Sequence, residues 1–235
     1  MIRTQPPGEG PIVVVVSEDG LCIMDGCRVQ QVRDAFGPLD SAAYAASLPS
    51  GLRPLEARLV ASVAIEVAAW DVTLLDRLTA LPPEQAVRPD LHVESWDNGG
   101  MTRWRGVPRE WESGSVNEWG GEQVEHPLWL AANRPPGLSK RVWRGQLAML
   151  LPWIEQNRQV IIERERRHLR IDAERSGPDL ESLDWGPLAA QLDRVHAVRK
   201  VTQSLRAARN ELAHGRPIAW EKIRQCIAEI RAYLS

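Results

Sequence analysis

An arginine, an amide and an imidazole, three groups that can act together on a phosphodiester, lie close together near the C-terminal end of the chain. They occur in the run Arg-Asn-Glu-Leu-Ala-His, which covers residues 209–214. The glycine and proline that follow predict the end of a helix, because glycine readily adopts the left-handed conformation just past a helix and proline cannot continue one. Residues four apart share a helix face, so Arg206, Asn210 and His214 should lie on roughly one stripe.

These residue types suit cleavage of RNA without a metal ion. A histidine can take or give a proton near neutral pH, and His214 would meet the negative end of the helix dipole. Arg209 and Arg206 could bind a phosphate or stabilise charge that develops on it, and Asn210 could orient His214 or bind a ribose hydroxyl. In such a reaction the 2′-hydroxyl attacks, a base removes its proton, and a cation stabilises the crowded phosphate.

The same residues also have a purely structural interpretation. His214 could bind the last carbonyls of its own helix, and Arg209 could pair with Glu211 or with an acid elsewhere. The other histidines have no partner that the sequence identifies, and we interpret all four as structural or solvent-facing: His92, His126, His168 and His196.

The string Arg-Asn-x-x-Ala-His on a long helix of a C-terminal bundle resembles the motif of the HEPN superfamily, especially the HEPN domains of bacterial conflict systems. The resemblance covers residues 138–235 and not the first half of the chain. It implies that Arg209 and His214 carry RNA cleavage, with Asn210 at the polar position after the arginine. In this family two motif copies commonly meet at a dimer interface, so a chain with one copy would need to form a homodimer.

The resemblance implies a metal-independent endoribonuclease that leaves a 2′,3′-cyclic phosphate and serves as an effector in a bacterial antiviral defence or toxin system. Arg206 and Arg216 are then the candidate RNA phosphate-binding residues, and neither a metal nor a cofactor is expected. A non-catalytic HEPN-like module, which binds RNA, a nucleotide or another conflict-system protein, is the alternative. A structural homodimer without a substrate is a third possibility.

Charge differs between the two halves of the chain. Residues 1–137 hold 11 Lys and Arg against 19 Asp and Glu, whereas residues 138–235 hold 18 against 12. A basic C-terminal half suits a phosphate-bearing ligand such as RNA. The opposite charges are equally consistent with two halves that dock on each other.

Composition indicates a globular protein of the cytoplasm. At 235 residues with 43% hydrophobic residues, the chain can bury a core in one large domain or two small ones. It contains no apolar run of membrane-spanning length and no signal-peptide pattern, so no membrane association is expected. Three cysteines are too sparse for a disulfide scaffold, and Cys22 and Cys27 lack the second ligand pair of a zinc site.

The predicted fold is mainly α, with a C-terminal antiparallel helical bundle preceded by a smaller α/β or irregular, Trp-rich region. Residues 1–83 form the N-terminal α/β region of this prediction. β-branched and apolar runs at 12–16 and 21–24 predict a hairpin, and short helices are expected around 29–36 and 41–48. Pro54 opens a stronger helix that should continue to about Leu81.

Residues 84–137 are expected to form a Trp- and Gly-rich connector or a small β subdomain. Five tryptophans recur there among glycine pairs: Trp96, Trp104, Trp111, Trp119 and Trp129. Short strands joined by glycine turns fit this rhythm, and so does a long loop held down by its tryptophans. The rings could stack nucleobases, but a chain with one Phe and ten Trp must also use Trp to fill its core.

Residues 138–235 should form the HEPN-like bundle. Apolar residues at helical spacing run from Leu138 to Ile171, with either a kink at Pro152 or two helices that meet there. A second helix should begin at Asp184 and carry the motif to His214, and a third should occupy residues 220–234. Three amphipathic helices joined by short loops favour antiparallel neighbours.

Overall fold

The computed structural model of the protein describes residues 36–97, 99–171 and 179–235. These residues are mainly helical, with eleven α-helices and one two-stranded antiparallel sheet among them. The predicted hairpin at 12–24, and all but Phe36 of the predicted helix around 29–36, lie outside the described residues. Of the helices described, none combines the length and the apolar character that a membrane span requires.

The first three helices are α1 (Pro38–Ser47), α2 (Pro54–Ala68) and α3 (Val72–Ala80). The prediction of one helix from Pro54 to Leu81 is wrong, because the chain breaks at Ala69, whose φ is +54°. Asp71 then restarts the helix, since its carboxylate accepts a hydrogen bond from the Leu74 N–H at 2.9 Å.

Short elements fill the middle of the chain. They are α4 (Pro83–Ala86), a 3₁₀ turn (Pro89–Leu91), α5 (Glu94–Asp97), α6 (Met101–Trp104), β1 (Val116–Trp119), β2 (Glu122–Glu125) and α7 (Pro127–Asn133). The two strands pair with Val116 opposite Glu125, so a glycine-turn hairpin is present as one part of this region. Trp96, Trp104 and Trp129 are buried, and these three rings therefore pack in the core instead of stacking nucleobases.

Helix α8 (Pro135–Arg164) is the longest element, at 30 residues, and it runs unbroken through Pro152. The alternative of two helices that meet at Pro152 is therefore wrong. The helix packs tightly on α2, since a Cβ added at Gly145 would lie 2.6 Å from Val63 Cα. Ser62 Oγ also donates to the Gly145 carbonyl at 2.9 Å, so a hydrogen bond accompanies this close approach.

The last three helices are α9 (Trp185–Leu192), α10 (His196–Ala213) and α11 (Trp220–Leu234). The predicted single motif helix from Asp184 is two helices, because the chain turns at residues 193–195. The predicted end of the motif helix and the predicted final helix are both confirmed. Helices α10 and α11 pack on each other, and α10 also packs on α9 and α8.

One apolar core runs through the described residues, 36–97, 99–171 and 179–235, which belong to a single compact unit. Buried Gln146 on α8 donates to the Val87 and Ile218 carbonyls, each at 2.9 Å. Buried Arg141 donates to the Val67 carbonyl at 3.2 Å, and burial lowers its pKa to about 10. Contacts of this kind cross both predicted boundaries, at 83–84 and at 137–138.

Candidate functional site

The end of α10 is closed by its own backbone. Gly215 adopts a φ of +72°, the Arg216 N–H donates to the Glu211 carbonyl at 3.0 Å, and the Gly215 N–H donates to the Leu212 carbonyl at 3.1 Å. This pair of bonds is the Schellman arrangement that a glycine just past a helix permits. Trp143 of α8 also donates its indole N–H to the Leu212 carbonyl at 2.7 Å. The helix end therefore does not need the imidazole of His214 as a cap.

His214, the residue at the cap position, is exposed to solvent. Its imidazole makes no hydrogen bond or ion pair with any residue that the structure describes. Asn210 is half-buried and Arg206 exposed, and within the described ranges their side chains are likewise without polar partners. Their four-residue spacing on α10 places Arg206, Asn210 and His214 on one stripe.

Arg209 lies on a different side of α10, where it faces the start of α9. Its guanidinium Nη2 is 3.8 Å from Oδ1 of Asp184, and the two side chains are 35% and 67% exposed. Together with Arg158 and Ser182 they line a cavity of about 430 Å³. An exposed ion pair of this length contributes less than about 1 kcal/mol, so the guanidinium remains available to a phosphate.

The two predicted catalytic side chains diverge on one chain. Arg209 and His214 are five residues apart, which turns them about 140° from each other around the helix axis. Arg209 lines the cavity with Asp184, whereas His214 lines neither that cavity nor the groove described below. A single copy of the chain therefore does not bring the guanidinium and the imidazole to one point.

The remaining predicted phosphate-binding residue, Arg216, has an acidic partner. Its Nε lies 2.8 Å from Oε2 of Glu211, with the Arg216 side chain 62% exposed. Glu211 therefore pairs with Arg216 and not with Arg209, whose acidic partner is Asp184, the acid elsewhere that the structural interpretation allows. Of the two predicted phosphate-binding arginines, Arg206 is the one whose guanidinium has no acidic partner among the described residues.

A groove that sequence reasoning missed begins beside the motif. It is lined by Arg88, Asp90 and Leu91, by the first turns of α8 as far as Trp143, and by Gly215, the residue after His214. We call it the Trp143 groove, and its volume is about 750 Å³. No local sequence signal marks it, because its three walls are separated by 44 or more positions along the chain.

The other histidines fit the structural or solvent-facing interpretation. His126 is buried and caps the start of α7, where its Nδ1 accepts a hydrogen bond from the Leu128 N–H at 3.2 Å. His168 and His196 are exposed and His92 is half-buried. Within the part of the chain that the structure describes, no group of three or more His, Cys, Asp or Glu side chains is placed to hold a metal ion.

Comparison with known proteins gives no family assignment. Neither protein-family models nor curated proteins nor solved structures match the chain. The likeness to HEPN domains therefore stays a resemblance that residues 206–216 and their helical setting carry, and any functional conclusion depends on the geometry of those residues.

Proposed function

We propose that the protein is a metal-independent endoribonuclease of HEPN type, which acts in the cytoplasm as an effector of a bacterial defence or toxin system. One observation carries the proposal. The His214 imidazole is exposed and without a described partner at a helix end where the carbonyls of Asn210, Glu211 and Leu212 already have donors. A side chain that the fold does not use in this way is available for proton transfer to or from a substrate.

Each motif residue has a role in this reaction. His214 takes the proton from the ribose 2′-hydroxyl, whose oxygen attacks the adjacent phosphorus and displaces the 5′-oxygen of the next nucleotide. Arg209 stabilises the negative charge that develops on the phosphate, and Asn210 binds a ribose hydroxyl. Arg206 and Arg216 bind neighbouring phosphates. The departing 5′-oxygen takes a proton from water, so the products are a 2′,3′-cyclic phosphate and a 5′-hydroxyl end.

The divergence of Arg209 and His214 on one helix supports a site shared between two chains. In a symmetric dimer, the guanidinium of one chain can approach the imidazole of the other. Mixing Arg209→Ala with His214→Ala tests this arrangement. Half of the dimers would then be mixed and would hold one intact site of two, so about a quarter of the wild-type activity should return. A site within one chain would give no recovery.

The central test is cleavage of single-stranded RNA in the presence of EDTA. We expect His214→Ala to lower the rate by at least about a hundredfold, since general acid–base catalysis contributes that much or more. The matched control is His196→Ala, which removes an exposed histidine from the other end of α10 and should leave the rate unchanged. Equal rates for wild type and His214→Ala would exclude the proposed role of His214.

A second candidate function is a non-catalytic module that binds RNA or another conflict-system protein. The pairing of Arg209 with Asp184, on the side of α10 away from His214, favours it. In that case wild-type protein leaves RNA intact under the same conditions, and the motif variants change binding only. The cleavage assay therefore separates the two functions directly.

A further inference from the structure

The Trp143 groove opens one residue away from His214, because Gly215 forms part of its lining. We infer that this groove binds a nucleotide of single-stranded RNA beside the scissile phosphate. The inference rests on the proposed function, which places the reacting phosphate at His214. It assigns nucleotide binding to residues of α8 and of the segment 88–91, none of which belongs to the motif.

The groove offers a surface for a nucleobase. Two prolines at the start of α8 and the ring of Trp143 give it an apolar lining, and Leu91 stands 64% exposed at its rim. The Trp143 N–H is occupied by the Leu212 carbonyl, and the half-buried side chain lines the groove. An aromatic face stacks any base, which suits single-stranded RNA of varied sequence. The volume of about 750 Å³ lies within the usual range of ligand pockets.

The charge of the groove complements a phosphate. Asp90 neutralises Arg88, because the Arg88 guanidinium donates two hydrogen bonds, of 2.9 and 3.0 Å, to the Asp90 carboxylate. Lys140 is exposed, and no acid among the described residues pairs with it. The groove therefore presents one uncompensated positive charge next to an apolar surface, a combination that matches a nucleotide better than an apolar peptide.

The walls of the groove are held in place before any ligand arrives. Gln146, one turn after Trp143, donates to the Val87 carbonyl and accepts from the Ile218 N–H at 2.6 Å. It thereby ties the segment before Arg88 and the segment after Gly215 to α8. A preformed pocket avoids the entropy of ordering its walls when it binds.

The test is the affinity for a short single-stranded RNA that carries 2′-O-methyl groups and therefore cannot be cleaved. Fluorescence anisotropy of a labelled RNA over a series of salt concentrations gives both affinity and salt dependence. Lys140→Ala should weaken binding several-fold and lower the slope of log K against log salt by about 0.7, as expected for one lost phosphate contact. Leu91→Ala removes apolar contact area at the rim and should weaken binding about fivefold without changing that slope.

Matched controls exist for both changes. The chain has only two other lysines, Lys200 and Lys222, and both are exposed, so Lys200→Ala and Lys222→Ala remove the same charge elsewhere. Leu39 is 85% exposed, and Leu39→Ala removes an exposed leucine far from the groove in sequence. These three variants should bind as the wild type does.

The outcomes separate this inference from the proposed function. Wild-type affinity in both groove variants, or an equal loss in the controls, overturns the groove as an RNA site even when the wild-type protein cleaves RNA. Weakened binding in the groove variants alone supports it. If the wild type binds RNA through the groove yet leaves cleavable RNA intact, the nuclease is excluded and the groove stands.

Discussion

Two histidines at helix ends, His126 and His214, show how differently the fold uses the same side chain. His126 is buried at the start of α7, with Nδ1 bonded to the Leu128 N–H, Nε2 3.3 Å from Oδ2 of Asp71, and Trp104 stacked on the ring at 4.5 Å. His214 is exposed at the end of α10 and has no described polar partner. The helix that uses a side chain as its cap engages the His126 imidazole in hydrogen bonds. The helix that ends at a glycine makes no such use of the His214 imidazole.

The surroundings of His126 extend this contrast. Since Nδ1 accepts from a backbone N–H, the ring proton must be on Nε2, which donates to Asp71. Asp71 is itself the cap of α3, so one hydrogen bond links the starts of two helices. On the α8 side of the molecule, Gln146 links two further segments in the same manner. The polar side chains of His126, Asp71 and Gln146 join separate parts of the fold, whereas the side chains of Asn210 and His214 at the end of α10 have no described polar partner.

The largest expected effect is on stability when Gln146 is replaced. Gln146→Met keeps the length and much of the shape of the side chain but leaves the Val87 and Ile218 carbonyls and the Ile218 N–H without their donor or acceptor. Buried unsatisfied groups cost about 1–3 kcal/mol each, so the free energy of unfolding should fall by roughly 4 kcal/mol. Urea unfolding measures it.

The matched control for Gln146 lies on the same helix. Among the described residues, the Gln159 side chain makes one long hydrogen bond, at 3.5 Å from its Nε2 to the Glu181 carbonyl. Gln159→Met should therefore change stability by less than about 0.5 kcal/mol. Similar losses of unfolding free energy in the two variants would show that the Gln146 hydrogen bonds do not stabilise the packing of these segments on α8.

The direct comparison of the two histidines comes next in size. His126→Ala removes a helix cap, the bond to Asp71 and a stacked ring, and should cost about 3 kcal/mol. His214→Ala removes an exposed side chain and should stay within about 0.5 kcal/mol of wild type. Thermal and urea unfolding of the two variants provide the measurement. A large loss in His214→Ala would mean that His214 has a structural role and would weaken its assignment as a proton acceptor.

Local residue patterns explain which parts of the fold could be predicted. The end of α10 was predictable because glycine and proline act within a few residues, and the stripe of α11 because its apolar spacing is regular. The break between α2 and α3 was not, since it falls at Ala69, where no glycine marks it. It is held instead by tertiary contacts such as the bond from Ser41 Oγ to the Ala69 carbonyl at 3.1 Å.

The candidate site divides in the same way. The shared helix face of Arg206, Asn210 and His214 follows from spacing alone. The pairing of Arg209 with Asp184 joins residues 25 positions apart, and the Trp143 groove joins segments still farther apart. Such juxtapositions depend on how α8, α9 and α10 pack, which no local pattern encodes.

A third experiment compares two helical glycines, one packed tightly against another helix and one with open space around it. Gly145→Ala should cost about 2 kcal/mol, because the new methyl group would lie 2.6 Å from Val63 Cα and 2.7 Å from the Ser62 carbonyl oxygen, and two helices would have to separate. Gly186, in α9, has no atom within 4 Å of an added Cβ, so Gly186→Ala should instead stabilise by up to about 1 kcal/mol. Urea unfolding that gave both variants the same sign would contradict the tight packing of α8 on α2.

The smallest expected effect concerns pH. Burial raises the pKa of Asp71, but the hydrogen bonds from His126 and from the Leu74 N–H outweigh it, so the pKa lies below its ordinary value of 3.8. A carboxyl whose pKa is lower in the folded state adds stability above its unfolded pKa, and this stability is lost as the pH falls through the folded pKa.

Asp71→Asn isolates this contribution, because asparagine can still cap α3 but carries no charge. We expect a loss of about 1 kcal/mol at neutral pH, with the gap to wild type closing as the pH falls below 3.8. Urea unfolding at a series of pH values measures the gap. Since His126 supplies one of the two hydrogen bonds, the gap should be narrower in a His126→Ala background and unchanged in a His214→Ala background. The stability difference between wild type and Asp71→Asn could prove independent of pH, or could change equally in the His126→Ala and His214→Ala backgrounds. Either result would contradict the stabilising hydrogen bond between His126 and Asp71.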